Sequence, residues 1–150
     1  MKFLLKTALA GVFTFAAGGA LAADCEVNVD STDQMRFDTD AISIPASCES
    51  FTVNLTHSGS IAANIMGHNW VLTKTAELQA LAQEGMSAGI ENNYLPPDDA
   101  RVIAATKIIG GGESTSVTFD VAALNPEEDY SFFCSFPGHY ALMKGTVTID

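Results

Sequence analysis

Basic residues are scarce in this 150-residue chain, where seven Lys and Arg stand against eighteen Asp and Glu. That imbalance excludes nucleic-acid binding, which depends on many cations meeting phosphates. Histidine is scarcer, so any imidazole site must draw on His57, His68 and His139. Cysteine occurs only at positions 25, 48 and 134, an odd number that leaves one thiol over after pairing. No internal repeat, low-complexity tract or second-domain boundary is evident.

What is present begins with residues 1–22, where Lys2 and Lys6 precede an apolar run over 8–17 and the stretch ends in Ala20-Leu21-Ala22. The pattern predicts a secretory signal peptide cleaved before Ala23. Its glycines and cleavage-type ending argue against a membrane anchor, so none is expected in the mature form. Residues 23–150 are then long enough for one domain with a real core. Lys2 and Lys6 would leave with the signal and no acid would, so five basic residues against eighteen acidic ones give a mature net charge of −13. Such acidity either steers a basic partner or keeps the protein soluble. Cys25 and Cys48 lie in polar surroundings without a nearby histidine, which suits a structural disulfide in an oxidising compartment. Closing a loop of about 23 residues, it would contribute about 3 kcal/mol. Cys134 remains as the free thiol.

Alternating apolar residues recur along the mature segment, as in 25–30 and 51–55, where Phe51, Val53 and Leu55 share a face. Residues 35–44, 66–72, 101–108, 116–121, 130–136 and 144–149 complete about eight expected strands, punctuated by Gly, Pro, Asn and Asp. Many short strands predict an all-β, two-sheet Greek-key sandwich or barrel. Residues 75–90 differ, because Leu78, Leu81, Ala82 and Met86 recur at three- and four-residue spacing. One short amphipathic helix outside the sheets is expected there.

The chemistry concentrates in Tyr130-Ser-Phe-Phe-Cys134-Ser-Phe-Pro-Gly-His139-Tyr-Ala-Leu-Met143. Five extended residues span roughly 16 Å, so Cys134 and His139 reach one ion only if the chain folds back at Pro137-Gly138. Thiolate, imidazole and thioether together favour copper, particularly with a second imidazole. His57 precedes Ser58-Gly59-Ser60, a turn, and reads as an exposed or locally bonded loop histidine. His68 follows Gly67, which lets backbone approach something bulky, and is the better second imidazole. Phe37, Trp70, Phe132 and Phe133 are expected to fill the core.

Gly67-His68-Asn69-Trp70 followed by Cys134-Ser-Phe-Pro-Gly-His139-Tyr-Ala-Leu-Met143-Lys-Gly resembles the azurins, periplasmic blue-copper proteins of the cupredoxin family. The resemblance extends across the mature segment, through Asp33-Gln34-Met35, Phe51-Thr-Val-Asn-Leu55, Tyr94-Leu-Pro-Pro-Asp-Asp99 and Ser116-Val-Thr-Phe-Asp-Val121. It implies an eight-stranded cupredoxin sandwich holding one copper ion, Cu(I)/Cu(II), with His68, Cys134 and His139 in a trigonal plane. Met143 and the Gly67 carbonyl would be weak axial neighbours. The amides of Asn69 and Phe136 would point at the thiolate, and the Asn69 side chain would tie the ligand loops together. The implied function is periplasmic electron transfer by a monomer, with c-type cytochromes and respiratory reductases or oxidases as partners.

An electron would leave through His139, within an apolar patch formed by Met35, Met66, Met86, Phe136, Pro137, Gly138, Ala141 and Leu142. For Met35 and Met86, core filling is the competing reading. Tyr140 replaces the smaller residue expected from the resemblance and is expected to affect docking at the patch rather than metal binding. Copper storage or delivery is the alternative function, but it calls for exposed Met or Cys clusters. An enzyme using Cys134 as nucleophile and His139 as base would need an open thiol and an orienting group for the histidine. The loop offers no such group, and Phe133, Phe136 and Pro137 crowd the sulfur.

Overall fold

The computed structural model describes residues 24–150; the expected signal peptide lies outside the described residues. Among the described residues, nine strands form two sheets. One contains β1 (Glu26–Thr32), β2 (Arg36–Phe37), β4 (Ser50–His57) and β7 (Ser114–Asp120), in the order β2-β1-β4-β7. The other contains β3 (Ala41–Ile44), β5 (Val71–Lys74), β6 (Ala104–Ala105), β8 (Tyr130–Phe133) and β9 (Lys144–Ile149), in the order β3-β9-β8-β5-β6.

Period-two alternation builds the core between the sheets. Phe51, Val53 and Leu55 of β4 are buried while Thr52 and Asn54 turn outward. Trp70 is fully buried, stacked between Phe119 and Phe132 at ring-centroid distances of 6.2 and 5.8 Å. Phe37 joins Phe132 at 5.6 Å, so the aromatic residues fill the interior as expected. The Cys25–Cys48 disulfide, with Cα atoms 5.7 Å apart, fastens the start of β1 to the approach to β4.

The structure adds breaks that alternation does not reveal. The single strand expected over 35–44 becomes two, because polar Asp38-Thr39-Asp40 carries the chain from one sheet to the other. Phe37 pairs with Ser31, whereas Ala41 pairs with Thr146. The strand expected over 66–72 is replaced by one helical turn, α1 (Ala63–Met66), an irregular Gly67-His68-Asn69 and β5. Over 101–108 only β6 is regular. The expected helix is α2 (Leu78–Gly85), flanked by 3-10 turns at Thr75–Glu77 and Met86–Ala88. It buries Leu78, Leu81 and Ala82 beside Val71, Leu95 and Phe133, outside the main core. No helix among the described residues is long and apolar enough to cross a membrane.

Strand direction gives the molecule two ends. β1 and β4 run parallel and finish at Thr32 and His57, and β8 finishes at Phe133 opposite Val71 and Lys144. All the chemically distinctive residues gather at that end.

Candidate metal centre

Three segments converge there. The end of β1 supplies the Thr32 carbonyl, which accepts a hydrogen bond from His68 Nε2 at 2.9 Å. That bond fixes the tautomer and leaves Nδ1 free to face inward. His68 is held in place by reciprocal backbone bonds with Ile109, at 3.0 and 2.9 Å. Gly67 is required beside it, because an added Cβ would lie 2.3 Å from the Ala63 carbonyl oxygen and 2.5 Å from Ile108 Cγ2.

The third segment is the loop from Cys134 to Met143. Gly138, at φ +83°, occupies a conformation that side chains disfavour and folds the chain back. The His139 amide donates to the Phe136 carbonyl at 2.9 Å, the Met143 amide to the His139 carbonyl at 2.8 Å, and the Cys134 amide to the Met143 carbonyl at 3.0 Å. These bonds close the loop on itself and bring its two ends together.

The result is a cluster of three buried donors. Cys134 Sγ lies 3.8 Å from His68 Nδ1 and 3.7 Å from His139 Nδ1, and the two nitrogens are 3.2 Å apart. Metal bonds of about 2.0 Å to nitrogen and 2.3 Å to sulfur would place three coplanar donors about 3.5–3.7 Å apart. Cys134, His68 and His139 therefore fit one ion with little movement, and they are the group of His, Cys, Asp and Glu found with such spacing among the described residues. The Gly67 carbonyl oxygen lies 3.9 Å from Sγ. Met143 is fully buried in the same core.

Electrostatics agree with a metal. Burial pushes the Cys134 thiol up to about 12, against the opposing pull of the Asn69 and Phe136 amides, which hydrogen-bond the sulfur. Burial also takes His68 down to about 4, although its bond to Thr32 opposes the shift, and lowers His139. Both imidazoles are thus neutral and ready to ligate at neutral pH. With no carboxylate in the cluster, one thiolate and two imidazoles would leave a single positive charge with Cu(II) and none with Cu(I).

A model of the family described as copper binding proteins, plastocyanin/azurin family, matches residues 23–150. The chain belongs to this plastocyanin/azurin family. It is 56% identical over 148 residues to the azurin of Bordetella pertussis strain Tohama I, covering 97% of this chain and 99% of that protein. It is 62% identical over 127 residues to the azurin of Pseudomonas fluorescens biotype C, covering 85% and 99%. Its fold is similar to a solved azurin, Az-iso2 from Methylomonas sp. strain J, with a TM-score of 0.83 and 52% identity, covering 85% of this chain and 99% of that one. The azurin relatives and the buried sulfur–nitrogen donors together identify copper as the metal.

Around the donors, the azurin fold uses Asn69 to join the two ligand-bearing segments. Its Oδ1 accepts the Ser135 amide at 2.9 Å, its Nδ2 donates to Ser135 Oγ at 2.8 Å, and Ser135 Oγ donates to the Asn93 carbonyl at 2.6 Å. Asn93 was absent from the sequence reading; its φ of +53° hints at a special turn, yet nothing local points to residue 135. The Thr32 carbonyl was also missed, since backbone acceptors leave no side-chain signature. His57 corrects the reading of an exposed or locally bonded loop residue. It ends β4, is 1% exposed, and its ring lies 4.6 Å from that of His68, with Nε2 3.7 Å from Asp33 Oδ1. It contributes no atom to the donor cluster.

Phe136 lies against the His139 ring at 4.6 Å, and Tyr94 meets Phe136 edge-on at 5.3 Å. Leu142 is 69% exposed and Met86 42%, and Pro137, Gly138 and Ala141, near Leu142 in the chain, are exposed too. Met35 and Met66 are half-buried, and Met35 packs partly on the core. Ile65 of α1, 64% exposed, is an apolar surface residue next to Met66 that the sequence reading omitted. Tyr140 turns away from the exposed loop and packs half-buried against the α2 cluster.

Proposed function

We propose that the protein is an exported one-electron carrier holding one copper ion, with residues 1–22 as its signal peptide and 23–150 as its working domain in the periplasm. The start of the family match at residue 23 supports that boundary. The observation that carries the function is the buried, carboxylate-free His68–Cys134–His139 cluster. Copper in such a site supplies a reversible Cu(I)/Cu(II) couple in a geometry that suits both states. The residues named here do the rest.

Cys134, His68 and His139 would hold the ion, with Met143 and the Gly67 carbonyl as weaker neighbours beside them. Loop closure through Met143 and the Asn69–Ser135 bonds keeps the donors in place when the charge changes, which keeps rearrangement small. The Asn69 and Phe136 amides draw charge from the sulfur and so tune the potential. Packing excludes water. His139, buried yet followed by exposed Ala141 and Leu142, is the exit, and Met66, Met86, Phe136, Pro137 and Gly138 complete an apolar docking area with Met35 at its margin.

Burial also separates this reading from its rivals. A thiol with pKa about 12 and no exposed surface is a poor nucleophile, which supports a non-enzymatic role. Storage or delivery calls for ready metal exchange, and a donor set closed in by hydrogen bonds opposes that. Partners are c-type cytochromes and respiratory reductases or oxidases, meeting a monomeric carrier. In the test, copper-loaded protein is cycled repeatedly between a reduced c-type cytochrome and a mild oxidant while colour and copper content are followed. A carrier passes one electron per ion per cycle and keeps its metal; progressive copper loss on reduction would favour delivery.

A further inference from the structure

Helix α2 and the segments it covers form a second apolar cluster, apart from the core between the sheets. Leu78, Leu81 and Ala82 of α2 pack there against Val71, Leu95 and Phe133, with Tyr140 half-buried on the same layer. Pleating explains the division. Leu72 and Phe132 face the main core, so Val71 and Phe133, paired across β5 and β8, face α2.

Four members of this outer layer stand next to the framework of the metal centre. Phe133 directly precedes Cys134, Tyr140 directly follows His139, and Val71 lies two residues after Asn69 on the segment that carries His68. Leu95 lies two residues after Asn93, whose carbonyl accepts the Ser135 hydroxyl and whose side chain accepts the Ile108 amide at 2.8 Å. The helix sits close on that last segment, since a Cβ added at Gly85 would lie 2.1 Å from the Tyr94 carbonyl oxygen. Arg101 also fastens the C-terminal end of α2, meeting Glu84 of the helix and Asp99 at 2.5 Å each. Within the turn His139–Ala141, Tyr140 packs on this layer while Ala141 is exposed.

We propose that α2 and its apolar layer form a positioning wall for the metal centre, and that Tyr140 is the positioning residue through which the wall fixes His139. The proposal rests on the His68–Cys134–His139 site holding a metal ion and is independent of electron transfer. Close-packed layers transmit displacement, so a ring held against α2 restricts the turn and limits how far His139 moves from Cys134 and His68. Without that ring the turn keeps its backbone bonds but opens locally more often.

Two readouts free of redox chemistry test the wall. In the first, Zn²⁺-loaded protein is mixed with excess chelator and metal release is timed. Tyr140→Ala, and Leu81→Ala on the helix itself, should each release Zn²⁺ about ten-fold faster, the lower end of the loss when a ligand's support is removed. Leu81→Val is the milder substitute if Leu81→Ala does not fold. Tyr140→Phe should keep the parent's rate, since the ring does the packing. Ile44→Ala empties a buried position beside Ile149, away from the donors, and should accelerate release far less. In the second, hydrogen exchange is followed in copper-free protein. The Leu142 and Met143 amides, which both donate to the His139 carbonyl at 2.9 and 2.8 Å, should exchange faster relative to the β4 amides in Tyr140→Ala. Unchanged release in Tyr140→Ala or in the α2 variant would overturn the proposal. So would equal acceleration by Ile44→Ala, failure of Tyr140→Phe to keep the parent's rate, or loop amides that keep their ratio to β4. If Zn²⁺ release behaves as expected but the copper form shows no blue colour, the electron-carrier reading fails and the wall stands.

Discussion

With its sulfur wholly buried and its pKa pushed up to about 12, Cys134 stays a thiol at neutral pH until a metal ion displaces the proton. His68 and His139, both lowered by burial, have no proton to give up. Titrating copper-free protein with Zn²⁺, a redox-inert probe, in buffers of different ionisation enthalpy should therefore show about one proton released per ion between pH 6 and 8. Affinity should fall about ten-fold for each unit of acidification, and more steeply as pH approaches 4, where His68 begins to compete. The same His68 shift makes the copper-free fold lose stability as pH falls from 6.5 toward 4, because the unfolded chain takes up the proton first. Substitutions separate ligand from neighbour. Cys134→Ser should abolish thiolate-to-copper absorption. His57→Ala should keep it while lowering stability by about 2 kcal/mol, the cost of emptying a buried site beside His68, as read by denaturant unfolding.

Elements hold the donors in place, and the Asn69–Ser135–Asn93 chain joins three of them. Asn69→Ala would leave the buried Ser135 amide without its acceptor, costing about 1–3 kcal/mol, and would loosen the segment next to Cys134. Thermal unfolding should drop and the reduction potential should shift, whereas an unchanged potential would show that Asn69 only supports the fold. At this scale the sequence was informative where local pattern decides structure. The period of two located β4 and β9, and the spacing of Leu78, Leu81 and Ala82 located α2. It misled where the site overrides the pattern. Gly67-His68-Asn69 reads as the start of a strand, yet Thr32, Ile109 and Ser135 draw its hydrogen bonds elsewhere. The three donors, one thiolate and two imidazoles, were legible as Cys134, His139 and His68. The burial of His57 was not, because it depends on the Asp33 turn and the His68 ring packing around a residue that sequence places at a strand end.

The whole molecule is a sandwich with metal chemistry at one end and a group of exposed carboxylates at the other strand ends. The disulfide, Glu49, Asp120 and Asp150 lie far from the donors, so that end is free to serve solubility while the donor end serves exchange of electrons. This division could not be read from a net charge, which sums over both ends; strand direction resolves it. The central claim is that His68, Cys134 and His139 hold one copper ion as a redox centre. The most direct measurement is the visible and electron paramagnetic resonance spectrum of oxidised, copper-loaded protein containing one ion per chain, before and after reduction. The account predicts an intense blue absorption from Cys134 thiolate, a copper hyperfine splitting narrower than that of ordinary copper(II) complexes, and reversible loss of both signals on adding one electron. A colourless copper(II) form, or colour that does not return on reoxidation, would contradict it.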